Sequence, residues 1–184
     1  PQDFSKVNDA IEDGSFFNNP VLCRAVDLAK EKNKALHIMG LLSSGGVHSH
    51  EAQITAMVEL AAKRGLTKIY VHAFLDGRDV PPKSAAASIQ LLEAKFAEVG
   101  VGRIVSIVGR FYAMDRDNRW DRIKLAYDLI AKGTASQTVD TAQHGLQEAY
   151  DRGETDEFVL PTVILGSHSQ TVTLDPEDSV VFMN

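Results

Sequence analysis

ALHIMGLLSSGGVHSHEAQITAMVELAAKRG, residues 35–65, decides the fold. Ala35–Leu42 is an unbroken apolar run, the pattern of a strand buried on both faces rather than on one. A polar loop with two glycines and two histidines follows. From Glu51 to Arg64 the residues Ile54, Met57, Val58 and Ala61 then fall on one face at helical spacing, and Gly65 ends the pattern. Strand, loop and amphipathic helix make one β–α unit.

The unit recurs twice more along the sequence. Lys68–Leu75 (KIYVHAFL) is a second strand, followed by DGRDVPP and a helix from about Lys83 to Val99. Arg103–Val108 (RIVSIV) is a third, followed by GRFYAMDRDNR and a helix to about Lys132. Ahead of them, Phe4, Val7 and Ile11 predict a short amphipathic helix stopped by Gly14. Asn19-Pro20 gives a cap and a first-turn proline for a helix reaching about Lys32. Past Gly133 the pattern weakens to a helix near Thr141–Arg152, an apolar run Thr162–Leu165 and a strand near Ser179–Phe182. Such alternation predicts an α/β fold: a three-layer, open, mainly parallel sheet with helices on both faces. The units are too few for an eight-fold barrel.

Composition bounds the function. The 184 residues suit one domain, residues 1–184, with 44% hydrophobic and 24% charged side chains, as in ordinary globular chains. A net charge of −6 argues against nucleic-acid or anionic-membrane binding. No apolar run is long enough to span a membrane, and no leader pattern opens the sequence. The single cysteine, Cys23, lies in a helical pattern and reads as a small buried hydrophobe, which fits a reducing, cytoplasmic setting. A start at Pro1 and a strand-like end at Asn184 suggest a domain cut from a longer protein.

In open α/β sheets ligands bind beyond the carboxyl ends of the strands. The three such loops hold His48 and His50; Asp76, Arg78 and Asp79; and Arg110, Arg116, Arg119 and Arg122. Four of nine arginines fall within residues 110–122. Arg110 follows a buried strand and Gly109, so its base is fixed, and its fork suits a carboxylate or phosphate. Arg119 and Arg122 read as a solvated helix start with local ion pairs. Arg78 and Asp79 read either as a turn whose aspartate caps the next helix, with Pro81-Pro82 opening it, or as a rigid loop offering a cation for an anion and a carboxylate for a hydroxyl. His48 and His50 admit a turn, a phosphate cradle, a proton-transfer site, or a metal site completed by Asp79, His144 or His168. No His-Glu-x-x-His, paired-cysteine or phosphate-loop pattern supports metal or nucleotide. His37 and His72, inside strands, read as packed or hydrogen-bonded.

Four segments, DGSFFNNP (13–20), GLLSSGGVHSH (40–50), HAFLDGRDVPP (72–82) and GRFYAMDRDNRWDR (109–122), resemble the cofactor-independent phosphoglycerate mutases, and the resemblance runs through the whole chain. Ser44 stands where that family commonly has aspartate. The resemblance implies an isomerase that interconverts 3-phosphoglycerate and 2-phosphoglycerate through a phosphoserine, in glycolysis and gluconeogenesis. It implies that this chain is only the inserted substrate-binding, or phosphotransferase, domain. The serine and two divalent metals, commonly manganese, then lie in a missing phosphatase-like domain of the same chain, with further substrate-binding arginines just past residue 184. The family's substrate contacts fall on His48, Arg78, Asp79, Arg110 and Arg116. The chemistry of the residues themselves makes Asp79 and His48 the catalytic candidates, Asp79 for proton transfer and His48 for binding or proton relay, and leaves His50 as structural. No cofactor is implied for the fragment, and no turnover. Two other readings stand beside it: a stand-alone metallohydrolase using His48, His50 and Asp79, and a non-catalytic anion-binding module.

Overall fold

The structure, a computed structural model, describes residues 2–45, 50–168 and 170–183, without the side chains of residues 2–5 and His168. Helices α1 (Gln2–Asp13) and α2 (Pro20–Glu31) lead into strand β1 (Leu36–Leu42). Then come α3 (His50–Lys63), β2 (Ile69–Leu75), α4 (Ala85–Val99) and β3 (Arg103–Gly109). A single turn α5 (Arg110–Ala113), α6 (Trp120–Lys132), β4 (Gln137–Val139), α7 (Ala142–Asp151), β5 (Thr162–Ile164) and β6 (Ser179–Phe182) complete the order. The cap at Asn19 forms as predicted: its side chain accepts the amides of Val21 and Leu22 at 3.0 and 3.1 Å, with Pro20 in the first turn.

One sheet runs β4-β5-β3-β2-β1-β6. β1, β2, β3 and β6 are parallel, whereas β5 pairs antiparallel with β3. Every residue of β1 is buried because both faces are covered. Leu36, Ile38 and Leu42 join the core beneath α1–α4 and α7, while Met39 and Leu41 face the layer that carries Leu129 of α6. The three-layer reading holds. Among the described residues no helix is long and apolar enough to cross a membrane.

Two expectations change. Strand β4, QTV, carries no apolar run that would mark it in the sequence. Helix α4 starts at Ala85, not at Pro81-Pro82 or Lys83, and Asp79 does not cap it. The amides of Ser84 and Ala85 are instead accepted by Asp156, 2.8 and 2.9 Å away and about seventy residues on. A remote carboxylate has replaced the local proline as the start signal.

His37 and His72 are buried and hydrogen-bonded, as expected. Together they form a line across three strands: Ser106 Oγ to His72 Nδ1 at 2.8 Å, His72 Nε2 to His37 Nδ1 at 2.9 Å, and His37 Nε2 to Asp178 Oδ2 at 3.0 Å. Burial lowers both imidazoles, His72 to about 3. With Asp178 ionised, one proton order satisfies every atom. Ser106 donates to His72, His72 to His37, and His37 to the carboxylate.

Candidate active site

The carboxyl ends of β2 and β3 bring DGRD and Gly109-Arg110 side by side. Asp76, the first residue past β2, organises them. It is almost fully buried, and it accepts the Ser43 hydroxyl at 2.7 Å, the amides of Arg78 and Asp79 at 3.2 and 3.0 Å, and Arg110 Nη1 at 2.7 Å. Burial alone would push its carboxyl up. The bonds from Asp79, Ser43, Arg110 and Arg78 together outweigh that and hold it below the usual carboxylate range. Ser43 is the first residue past β1, so three strand ends meet on one aspartate.

In the sequence Asp76 stands with this loop, without a role of its own. The available signal was an aspartate two and three residues ahead of Arg78 and Asp79, the spacing at which its side chain caps a tight turn.

Arg110 reaches Asp79 from the same nitrogen, Nη1 to Oδ2, at 3.0 Å. Burial would lower the guanidinium's pKa, but Asp76 and Asp79 raise it on balance. Its position immediately after Gly109 is the one predicted. Asp79 and Arg78 are exposed, and Arg78 Nη1 lies 4.0 Å from Glu157 Oε1. Arg116 is exposed as well. Arg78, Asp79, Arg110 and Arg116 all line one pocket of about 630 Å³, so four of the five expected substrate contacts meet in one place. The fifth, His48, lies outside the described residues.

His50, expected to be scaffold, opens α3 and is half-buried. Burial pulls its pKa down, the charges of Asp76 and Asp79 push it up, and Arg110 pulls it down, with lowering the net result. It therefore stands within electrostatic reach of the Asp76–Arg110–Asp79 cluster.

The reading of Arg122 as solvated is corrected. Its guanidinium lies 3.9 Å above the centre of the Phe111 ring and 3.4 Å from the buried carboxylate of Asp115, and it lines the pocket. Asp115 also accepts the amides of Asp117 and Arg119, both at 2.9 Å, so the pair fixes the loop that carries Arg116. Arg119, by contrast, makes the expected surface pair, 3.5 Å from Asp121.

His144, offered for a metal, is bound to its own helix region, 2.8 Å from Asp140 and 3.3 Å from Glu148. Among the described residues no three histidine, cysteine, aspartate or glutamate side chains stand in a metal-binding group.

Four guanidinium groups, from Arg78, Arg110, Arg116 and Arg122, and four carboxylates, from Asp79, Asp115, Asp117 and Glu157, line this pocket. Arg122 is engaged by Asp115 and Arg110 by Asp76 and Asp79, so exposed Arg78 and Arg116 are the cations best placed for a small anion, with the Asp79 carboxylate open to a hydroxyl. Comparison with known proteins identifies the family. The family model described as BPG-independent PGAM N-terminus (iPGM_N) matches residues 7–184. This chain belongs to that family. A 2,3-bisphosphoglycerate-independent phosphoglycerate mutase of Yersinia pseudotuberculosis is 60% identical over 183 residues, covering 100% of this chain and 36% of the relative. One from Pseudomonas putida is also 60% identical, with 35% of its length covered. The fold is that of a Leishmania mexicana phosphoglycerate mutase whose structure was determined at low cobalt concentration. The TM-score is 0.89 at 31% identity, over 98% of this chain and 34% of that one. The iPGM_N chain thus spans about a third of the length of the relatives it matches.

Proposed function

We propose that residues 1–184 form the glycerate-holding domain of a cytoplasmic, glycolytic phosphoglycerate mutase that interconverts 3-phosphoglycerate and 2-phosphoglycerate. The observation that carries the reading is the Arg110–Asp79 pair inside an arginine-lined pocket. The phosphoryl-accepting serine and its divalent metals, manganese by resemblance, belong in this reading to a phosphatase-like domain of the same chain.

In this reading Arg110, Arg78 and Arg116 grip the carboxylate and orient the glycerate. Charge-assisted bonds of this kind contribute roughly 1.5–3 kcal/mol each. Asp79 accepts the free hydroxyl of the glycerate, takes its proton as the phosphoryl group arrives at O2 or O3, and returns a proton to the oxygen that the phosphoryl group leaves. His48 assists in binding or proton relay. The glycerate stays held while it turns, so each hydroxyl faces the phosphoryl donor in succession. Positioning and exclusion of water are this domain's share of the rate.

The test is turnover of the full-length enzyme carrying Asp79→Asn or Arg110→Ala. Both variants should lose activity strongly while the enzyme still folds. Near-normal rates in both would instead support a non-catalytic anion-binding module. Residues 1–184 alone should show no mutase activity.

A further inference from the structure

Among the described residues Asp156 makes no hydrogen bond or ion pair to those assigned to substrate, yet both substrate loops are fitted to it. Its side chain is buried, with one oxygen accepting the amides of Ser84 and Ala85 and the other accepting the Tyr150 hydroxyl. Its own amide donates to Pro82 O at 2.9 Å. The stretch leaving Asp79 is therefore held at three successive places by one residue.

The next residue extends the contact to both loops. A Cβ on Gly77 would lie 2.7 Å from Glu157 N and 2.9 Å from Asp156 Cβ, and one on Gly109 would lie 2.2 Å from Glu157 O. Gly77 and Gly109 immediately precede Arg78 and Arg110. Gly109 also donates to Val159 O at 2.8 Å, and the Glu157 carboxylate approaches Arg78 to 4.0 Å. The peptide of Glu157 is thus wedged between the bases of the two arginines, and Asp156 anchors that wedge.

We propose that Asp156 is a positioning residue of the site: it fixes Arg78 and Asp79 at the spacing from Arg110 that one small anion requires. The proposal rests on the substrate reading given above. Two loops from different strands have no covalent reason to keep a fixed separation. Arg110 ties them at the site itself through Asp76 and Asp79, and the buried Asp156 carboxylate, with its amide and hydroxyl donors, adds a second non-covalent tie behind them; a misplacement of about 1 Å is enough to lower turnover greatly. Asparagine in its place keeps an oxygen for the amides and an amide group for the tyrosine oxygen, so it should preserve the spacing.

The experiment measures KM and kcat for 3-phosphoglycerate in the full-length enzyme well below its melting temperature. Asp156→Ala is expected to raise KM about fivefold or more, and Asp156→Asn to stay within about twofold of the unaltered enzyme. Combined with Arg78→Ala, Asp156→Ala should cost clearly less than it does alone, only its effect through Asp79 remaining, whereas with Arg116→Ala the two losses should multiply. Should Asp156→Ala not fold, Tyr150→Phe keeps both amide bonds and should show the same coupling at smaller size. Unchanged KM in the foldable variants, or losses that multiply equally with both arginines, would overturn the proposal. If Arg78→Ala and Asp79→Asn themselves leave turnover and KM intact, the substrate reading falls, and this proposal with it. If those two are damaging and Asp156→Ala is not, only the positioning role falls.

Discussion

The Arg110 guanidinium lies 2.7 Å from the carboxylate of Asp76, and that buried pair is the foundation on which the exposed Asp79 is placed. Side-chain exposure is 2% for Asp76 and 67% for Asp79, so the two aspartates should separate stability from activity. Asp76→Ala strips a hydroxyl, two amides and a guanidinium of their buried acceptor and should cost about 3 kcal/mol in urea unfolding. Asp79→Asn should change stability by less than about 0.5 kcal/mol. In the full-length enzyme it should lower turnover by about 100-fold or more. Equal effects of the two on stability would contradict this division.

The line from Ser106 to Asp178 should make the fold sensitive to acid well above the carboxylate range. His72 is held neutral down to about 3 and His37 is also lowered, whereas in the unfolded chain both titrate near 6.5. Below about pH 6.5 the unfolded chain therefore binds protons that the native chain refuses, and stability falls as pH falls. The limiting slope is about 1.4 kcal/mol per pH unit for each histidine. Asp178 adds a second, lower window. Burial would raise it, but the amides of Ala35 and Asp175 and the His37 ring hold it down, so its stabilisation disappears only as pH drops below its unfolded value. Urea midpoints at about pH 7 and pH 4.5 should differ clearly, and His72→Gln, which cannot titrate, should reduce the difference. A pH-independent midpoint over that interval would contradict the neutral line.

What could be read from the sequence followed from local physics. β1, β2 and β3 were legible because burial on both faces leaves a continuous apolar run, and Arg110 because a glycine after such a run fixes its base. The unread parts depend on distance along the chain. β4 reads QTV, with nothing apolar enough to mark it, and exists by pairing with β5. The start of α4 moved because Asp156 supplies acceptors that no window around Pro81 contains. The burial of Arg122 is not legible locally because Phe111 and Asp115 reach it only when α5 folds back on α6. The convergence of arginines was visible, but their order of importance was not.

Gly109 and Gly100 should respond oppositely to what their backbone angles suggest. Gly100 sits at φ +78° with nothing within 4 Å of a Cβ, so alanine there meets only conformational strain, about 1 kcal/mol. Gly109 has φ −65°, comfortable for any residue, yet its Cβ would fall 2.2 Å from Glu157 O. Gly109→Ala must push the 156–158 wedge or β3 aside and should cost about 2–3 kcal/mol, the more damaging change of the two in thermal unfolding. The reverse order would mean that the wedge yields easily.

Arg122 and Arg119 lie three residues apart on the same helix start, and only one should matter to substrate. Arg122 stacks on Phe111 and bonds Asp115, which holds the amides of the loop carrying Arg116. Lysine cannot reproduce a planar guanidinium over a ring. Arg122→Lys should therefore raise KM for 3-phosphoglycerate in the full-length enzyme by roughly threefold to tenfold, a loss of about 1 kcal/mol. Asp115→Ala should do the same by freeing the loop. Arg119, 56% exposed beside Asp121, gains little from its pair, and Arg119→Ala should leave KM within about twofold. A larger effect from Arg119 than from Arg122 would put the anion outside the Phe111 wall, on the solvent side of α6.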